Sequence, residues 1–150
     1  MQVYKSFPKS VGLPSDFFNS ETFTPRLKTT SPLDVDGINY TYTSNGYVNK
    51  LGNGLAFVKI EFEITSTLGN PGYSLIIDNL PFTSKGNNYL NVHVFKGDMD
   101  ISDLLKSKVS SRIRDDENFI SLIGKVYGNN INSPKITSGN ITLSGLILIK

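Results

Sequence analysis

The chain has 150 residues, of which 38% are hydrophobic and 19% charged, with a formal net charge of +2 and no cysteine. This length and balance fit one domain with a sizeable core, and they exclude a disordered chain, a coiled coil and any disulfide or thiolate site. The scattered basic residues give no indication of a nucleic-acid partner, and no apolar run matches a membrane span or the core of a signal peptide.

The first 22 residues differ from the rest of the chain. Pro8, Gly12 and Pro14 interrupt any regular element there, and the aromatic residues between them follow no period. We therefore expect residues 1–22 to be an attachment arm or linker, with a disordered terminus as the alternative. Residues 23–150 are expected to form the folded domain.

From Phe23 onward, apolar and polar residues alternate. The clearest run is 55–65, where five apolar side chains face one way and charged or hydroxyl side chains face the other, as in a strand with one buried face. Gly52-Asn53-Gly54 before it predicts a hairpin turn. Further strands are expected at residues 38–43, 73–77, 90–95, 119–127 and 136–149.

About eight short strands at hairpin spacing predict an all-β fold, an antiparallel jelly-roll-like β-sandwich. One segment departs from this pattern. Ile101, Leu104, Leu105 and Val109 have near-helical spacing, so a short helix near residues 100–109 is an alternative there.

Four segments occur in a fixed order: FTPRL, GYVNKLGNGLAFVKIEFEI, IIDNLPF and the closing ITLSGLILIK. This set resembles a module at the C-terminal end of bacteriophage tail fibres, tail spikes and baseplate proteins, including carbohydrate-binding modules of siphophages that infect Gram-positive hosts. The matching residues are Phe23, Pro25, Leu27, Tyr47, Gly52, Asn53, Leu80, Pro81 and Phe82. The resemblance implies a jelly-roll-like domain that recognises a host surface saccharide, but the matching residues are framework: turns, a ladder stop at Pro81 and core plugs.

Few residues carry catalytic chemistry. His93 is the one histidine in the chain, so most of the residues that a zinc site needs are missing, and a histidine-based triad would have to include His93. Glu61 and Glu63 share a strand face next to Lys59, which is more typical of a solvated sheet surface than of a glycosidase pair. We therefore expect no catalytic residues, no enzyme activity and no cofactor.

Metal binding has one candidate segment, GDMDISD. Asp98, Asp100 and Asp103 offer hard oxygen ligands of the kind that calcium prefers. The segment lacks the glycine and distal glutamate of an EF-hand loop, and capping of the following segment is the favoured alternative. We expect no metal site.

The candidate ligand-binding residues lie near turns and on one short strand. Tyr73 and Tyr89 are placed at turns, where an exposed ring can stack on a sugar, and Asn91 and His93 share the less apolar face of strand 90–95. Arg112 and Arg114 in RIRDDE suit an acidic polysaccharide, although neutralisation by the neighbouring acidic residues is the favoured alternative.

The sequence therefore predicts a non-catalytic carbohydrate-binding module of a phage tail or baseplate that adheres to host cell-wall polysaccharide. Its expected location is the virion, with other tail or baseplate proteins as partners, a homotrimer as a further expectation, and no membrane insertion. Many weak contacts, multiplied over the copies on one particle, would supply the adhesion. The alternative is a structural module that docks other virion proteins without binding sugar.

Overall fold

A computed structural model describes residues 19–30, 33–34, 40–67, 75–95, 107–126, 129–131 and 138–150. These residues form ten β-strands and no helix: β1 (Asn19–Phe23), β2 (Arg26–Thr29), β3 (Tyr40–Gly52), β4 (Leu55–Thr67), β5 (Leu75–Asp78), β6 (Asn91–Phe95), β7 (Ser107–Arg112), β8 (Ile120–Val126), β9 (Asn129–Ile131) and β10 (Gly139–Leu148). Every strand pairing is antiparallel. The expected all-β antiparallel sandwich is confirmed.

The strands form two sheets. Sheet A has the order β1-β3-β4-β10-β6, and sheet B has the order β2-β5-β8-β7 with β9 paired to β8. The chain passes from one sheet to the other several times, so strands distant in sequence become neighbours. Strand β10, for example, lies between β4 and β6.

Two expected boundaries differ from the structure. Strand β7 begins at Ser107, so the helix considered near residues 100–109 does not include residues 107–109. The period of two is decisive there, because Ser111 and Ile113 are buried and Val109 packs against the core. Strand β1 pairs with β3 from Asn19 onward, so the sandwich also includes residues 19–22. The first 18 residues and 96–106 lie outside the described residues.

The core lies between the two inner faces. Strand β4 contributes its predicted row of five, which is Ala56, Val58, Ile60, Phe62 and Ile64. Sheet B opposes it with Leu27, Leu75, Ile77, Ile120 and Leu122, and Ile113 directly after β7 is buried as well. Since alternate residues of each strand face inward, the residues between these positions face the surface.

The β3–β4 hairpin has the expected turn. Gly52, Asn53 and Gly54 have φ values of 92°, 53° and 75°, in the left-handed region that glycine and asparagine tolerate best. A side chain at Gly54 would also bring a Cβ within 2.8 Å of the Ile149 carbonyl oxygen. The turn is therefore packed against the end of β10.

Three framework segments meet in one place. The Phe23 ring contacts the Phe82 ring edge-on, with centroids 6.5 Å apart, and a Cβ added to Gly46 would lie 2.5 Å from the Phe23 ring. Phe82 is buried and Leu80 packs against the core, so the predicted core-plug role of the Leu-Pro-Phe turn is confirmed. Three of the segments that carry the resemblance therefore pack against one another in the fold.

An ion pair links β2 to β5. Arg26 donates from Nε and Nη2 to the two oxygens of Asp78 at 2.7 and 2.8 Å, and Lys28 Nζ lies 3.6 Å from the same carboxylate. Burial on its own would raise the pKa of Asp78. The hydrogen bonds and charges of Arg26 and Lys28 outweigh burial and hold this pKa below its ordinary value of 3.8.

We expect Asp78→Asn to cost about 1 kcal/mol of unfolding free energy near neutral pH, because the pair is hydrogen-bonded through two contacts but only partly buried. Because the pKa of Asp78 is lower in the folded than in the unfolded state, its ionised form stabilises the fold at pH values above the unfolded-state pKa. This stabilisation is lost as the pH falls through the folded-state pKa. The melting-temperature gap between wild type and variant should therefore close under acid conditions. Glu21→Gln, an exposed carboxylate on β1, is the control; an unchanged gap at all pH values would contradict the assignment.

Candidate ligand-binding face

The outward side of sheet A carries a continuous polar surface. The β3–β4 and β4–β10 registers align its side chains in rows across three strands. One row is Thr43, Glu63 and Asn140, and the next is Asn45, Glu61 and Thr142. We refer to this surface as the outer face of sheet A.

An open depression of about 440 Å³ lies over these rows. Its lining residues are Thr43, Ser44, Asn45, Glu61, Phe62, Glu63, Asn140 and Thr142. Ser44 and Phe62 belong to inward positions of their strands, so the outward side chains are amides, hydroxyls and carboxylates. Such a set both donates and accepts hydrogen bonds, as recognition of a polyhydroxylated ligand requires.

The depression is acidic. Lys59 Nζ lies 2.8 Å from Glu61 Oε1, which neutralises one carboxylate locally. No ion pair within the described residues reaches Glu63, which is exposed. Among the described residues, no group of three or more His, Asp and Glu side chains is placed to hold a metal ion. Asp98, Asp100 and Asp103 lie outside the described ranges.

Two predicted ligand residues border the depression. His93 on β6 is paired with Thr142 of the depression, and Asn91 is paired with Ser144. Both side chains are exposed, while Val92 between them packs against the core. The structure therefore places Asn91 and His93 on the same outer face as the depression.

Tyr89 precedes β6 and is 64% exposed. The bridge between Asn88 and Ile113 places Tyr89 opposite Arg112, which belongs to sheet B. The Arg112 Nε is buried, with no hydrogen-bond partner in the described structure. Arg114 is exposed in the loop after β7. Tyr73 lies outside the described residues.

Within the described residues, no ion pair joins Arg112 or Arg114 to the acidic residues that follow Arg114. Asp115 accepts a hydrogen bond from the Gly86 N–H at 2.7 Å, and Asp116 pairs with Lys150. Glu117 accepts from the backbone N–H of Arg114 at 2.9 Å. These acids instead order the loop and tie it to the end of the chain.

Asn88 holds the start of β6 in place. Its amide acts like a peptide group: Nδ2 donates to the Leu148 carbonyl at 3.0 Å, and Oδ1 accepts from the Leu148 N–H at 3.0 Å. Nδ2 also donates to Ser84 Oγ at 2.7 Å. The backbone groups of Leu148 on β10 are thus paired with a side chain that precedes the first residue of β6, which fixes the backbone next to Tyr89.

The outer face has a second, apolar end near the β3–β4 turn. Leu146 pairs with Phe57, and Leu148 pairs with Leu55. The most exposed members of this apolar end are Leu146 (59%), Leu148 (47%), Tyr89 (64%) and Tyr47 (36%). Hydrophobic side chains grouped in this way mark contact surfaces more often than singly scattered ones do.

Sequence reasoning missed the depression itself. The outward position of Glu61 and Glu63 was predicted, and the pattern of β4 carried that signal. Their partners Thr43, Asn45, Asn140 and Thr142 were not singled out, since their proximity depends on the pairing of three distant strands. The excess of asparagine and threonine in the outward positions of β3 and β10 was the available signal.

The fold defines the class of protein to which this chain belongs, an all-β antiparallel sandwich. The outer face of sheet A is polar around the depression and apolar near the β3–β4 turn. The fold is shared with the Dettilon tailspike protein (gp208), with a TM-score of 0.59, 15% sequence identity and 91% of this chain covered. The chain spans 24% of that protein. No protein-family model and no curated protein matches the sequence. In the described ranges, no helix is long and apolar enough to cross a membrane.

Proposed function

We propose that this chain is a non-catalytic, saccharide-binding module of a bacteriophage tail or baseplate that adheres to the host cell wall. The observation that carries the proposal is the depression on the outer face of sheet A. It combines amide, hydroxyl and carboxylate groups on three paired strands. The shared fold with part of a tailspike protein supports a location in the phage tail.

The arrangement suits weak, reversible recognition. The depression is open, so a single sugar unit would keep much of its hydration and bind with modest affinity. Adhesion would then depend on several copies, either on one particle or in a homotrimer, each adding an intramolecular binding event. Asn91 and His93 at the border would contact the neighbouring units of a polymer.

The test is adhesion of a multivalent form of the full chain to isolated cell walls from a panel of Gram-positive bacteria. We expect saturable binding to some walls and none to others. Thr142→Arg places a long side chain in the depression and should reduce the binding at least tenfold, as a blocked site requires. Ser121→Arg, on the outward side of sheet B, is the matched control and should bind like the wild type.

Failure to bind any wall would refute the adhesion function, as would unchanged binding of Thr142→Arg alongside normal folding. Release of soluble sugar from the walls would refute the non-catalytic assignment. Both measurements use the same preparation, so the two claims are separated in one experiment.

One observation favours the alternative of a structural tail module, which is the apolar end around Leu146 and Leu148. A module that docks another virion protein through this surface would fail to bind walls but would assemble into tails. Leu146→Asp would then prevent its incorporation into tail particles, while Thr142→Arg would not.

A further inference from the structure

We infer that the depression selects glycans by charge: it accepts neutral or amino-bearing sugar units and rejects units that carry phosphate or carboxylate. This inference rests on the proposed saccharide-binding function and adds the chemical class of the ligand to it.

The first argument is that no cation among the described residues pairs with Glu63. Glu61 has Lys59 at 2.8 Å, but no described cation forms an ion pair with Glu63. Glu63 lies in the middle strand, between Thr43 and Asn140, so a bound sugar unit over this row would meet its carboxylate. An anionic substituent about 4 Å away would be repelled by about 1 kcal/mol in water, and more where the ligand displaces solvent.

The second argument is the nature of the other lining groups. Anion sites in proteins depend on arginine forks, lysines or converging backbone N–H groups. Among the residues that the structure describes, no arginine, lysine or histidine lines the depression. The arginines that suggested an acidic ligand, Arg112 and Arg114, lie on sheet B and in the loop after it, not among the lining residues.

The third argument is the match to donor-rich ligands. A carboxylate is an acceptor only, and its two oxygens can each accept from neighbouring hydroxyls of one sugar ring, or from an ammonium group. Asn45 and Asn140 flank the two carboxylates on either side and supply donors for ring or acetamido oxygens. The side chains of the depression therefore fit a sugar ring that carries neighbouring hydroxyls or an amine and no acidic group.

The experiment uses three forms of one β-1,4-glucosamine tetramer: the free amine, the N-acetylated form and the N-succinylated form. These probes share a backbone and differ in the charge of the group at the nitrogen of each of the four sugar units. Isothermal titration should give binding of the first two and at least tenfold weaker binding of the succinylated form. Binding of the free amine should also weaken with added salt, because the attraction is screened.

Glu63→Gln should lower the affinity for the free amine about fivefold and make that affinity less dependent on salt. The difference in affinity between the acetylated and the succinylated form should also become smaller. Affinity for the acetylated form should change less than about twofold. Glu21→Gln makes the same charge change on β1, away from the depression, and should leave all three affinities unchanged.

Equal or tighter binding of the succinylated form would overturn the inference, as would a free-amine affinity that Glu63→Gln does not alter. Absence of binding by all three probes would overturn it too. None of these results decides the proposed function, which stands or falls on adhesion to whole cell walls.

Discussion

Phe62→Ala should lower the unfolding free energy by about 3–5 kcal/mol, the range found for a large aromatic residue truncated in a well-packed core. Phe62 is 2% exposed, in the middle of β4 at the centre of sheet A. Its ring meets the ring of Tyr42 edge-on, with centroids 5.4 Å apart and an interplanar angle of 74°. The substitution removes both the buried area and this aromatic contact.

The measurement is urea unfolding followed by circular dichroism. Phe57→Ala is the matched control, since it makes the same truncation on the same strand but on the outward side, and should cost about 1 kcal/mol. If the alanine variant of Phe62 does not fold, Phe62→Leu should still unfold at lower urea than the wild type. Equal losses for Phe62→Ala and Phe57→Ala would contradict the assignment of the two faces.

Ser111→Ala should cost about 2–4 kcal/mol, since it leaves two buried backbone groups without partners. The Ser111 hydroxyl accepts from the Leu90 N–H at 2.7 Å and donates to the Leu90 carbonyl at 2.8 Å. Ser111 is 2% exposed, so water cannot easily replace these bonds. The hydroxyl therefore connects β7 of sheet B to Leu90, the residue that precedes β6 of sheet A.

Hydrogen exchange of the Leu90 amide would test this role directly. The amide should exchange slowly in the wild type and much faster in Ser111→Ala, even where the rest of the sandwich remains protected. Ser110→Ala is the control, since that hydroxyl makes a single longer bond of 3.4 Å to the Ile123 carbonyl. A slow Leu90 amide in the Ser111 variant would contradict the assignment.

Local chemistry made part of this fold predictable. The alternation along β4 identified its buried row, and the Gly52-Asn53-Gly54 turn followed from the backbone freedom of glycine and asparagine. The Leu-Pro-Phe turn was predicted as a core plug because a proline ends a ladder between two large apolar residues. Each of these features depends on residues close together in sequence.

The rest depends on long-range pairing. Glu63 and Asn140 are neighbours only because β10 pairs with β4, and the sequence offers no direct measure of that register. Strand β7 was obscured because Val109 also fits a helical spacing with Ile101, Leu104 and Leu105. Burial against the opposite sheet decides for the strand over residues 107–112. Tyr89 was predicted to be exposed near a turn, but its position opposite Arg112 required the bridge between Asn88 and Ile113.

The two ends of the described sandwich lie at the same pole of sheet A. Asn19 pairs with Lys50 beside the β3–β4 turn, and the Ile149 N–H donates to the Gly54 carbonyl of that turn. Glu63 is seven residues farther along β4 than Ala56, the partner of Lys50, which is a distance of about 23 Å at ~3.3 Å per residue. A tether to a larger assembly at either Asn19 or Lys150 would therefore hold the module by one pole and present the depression toward the other.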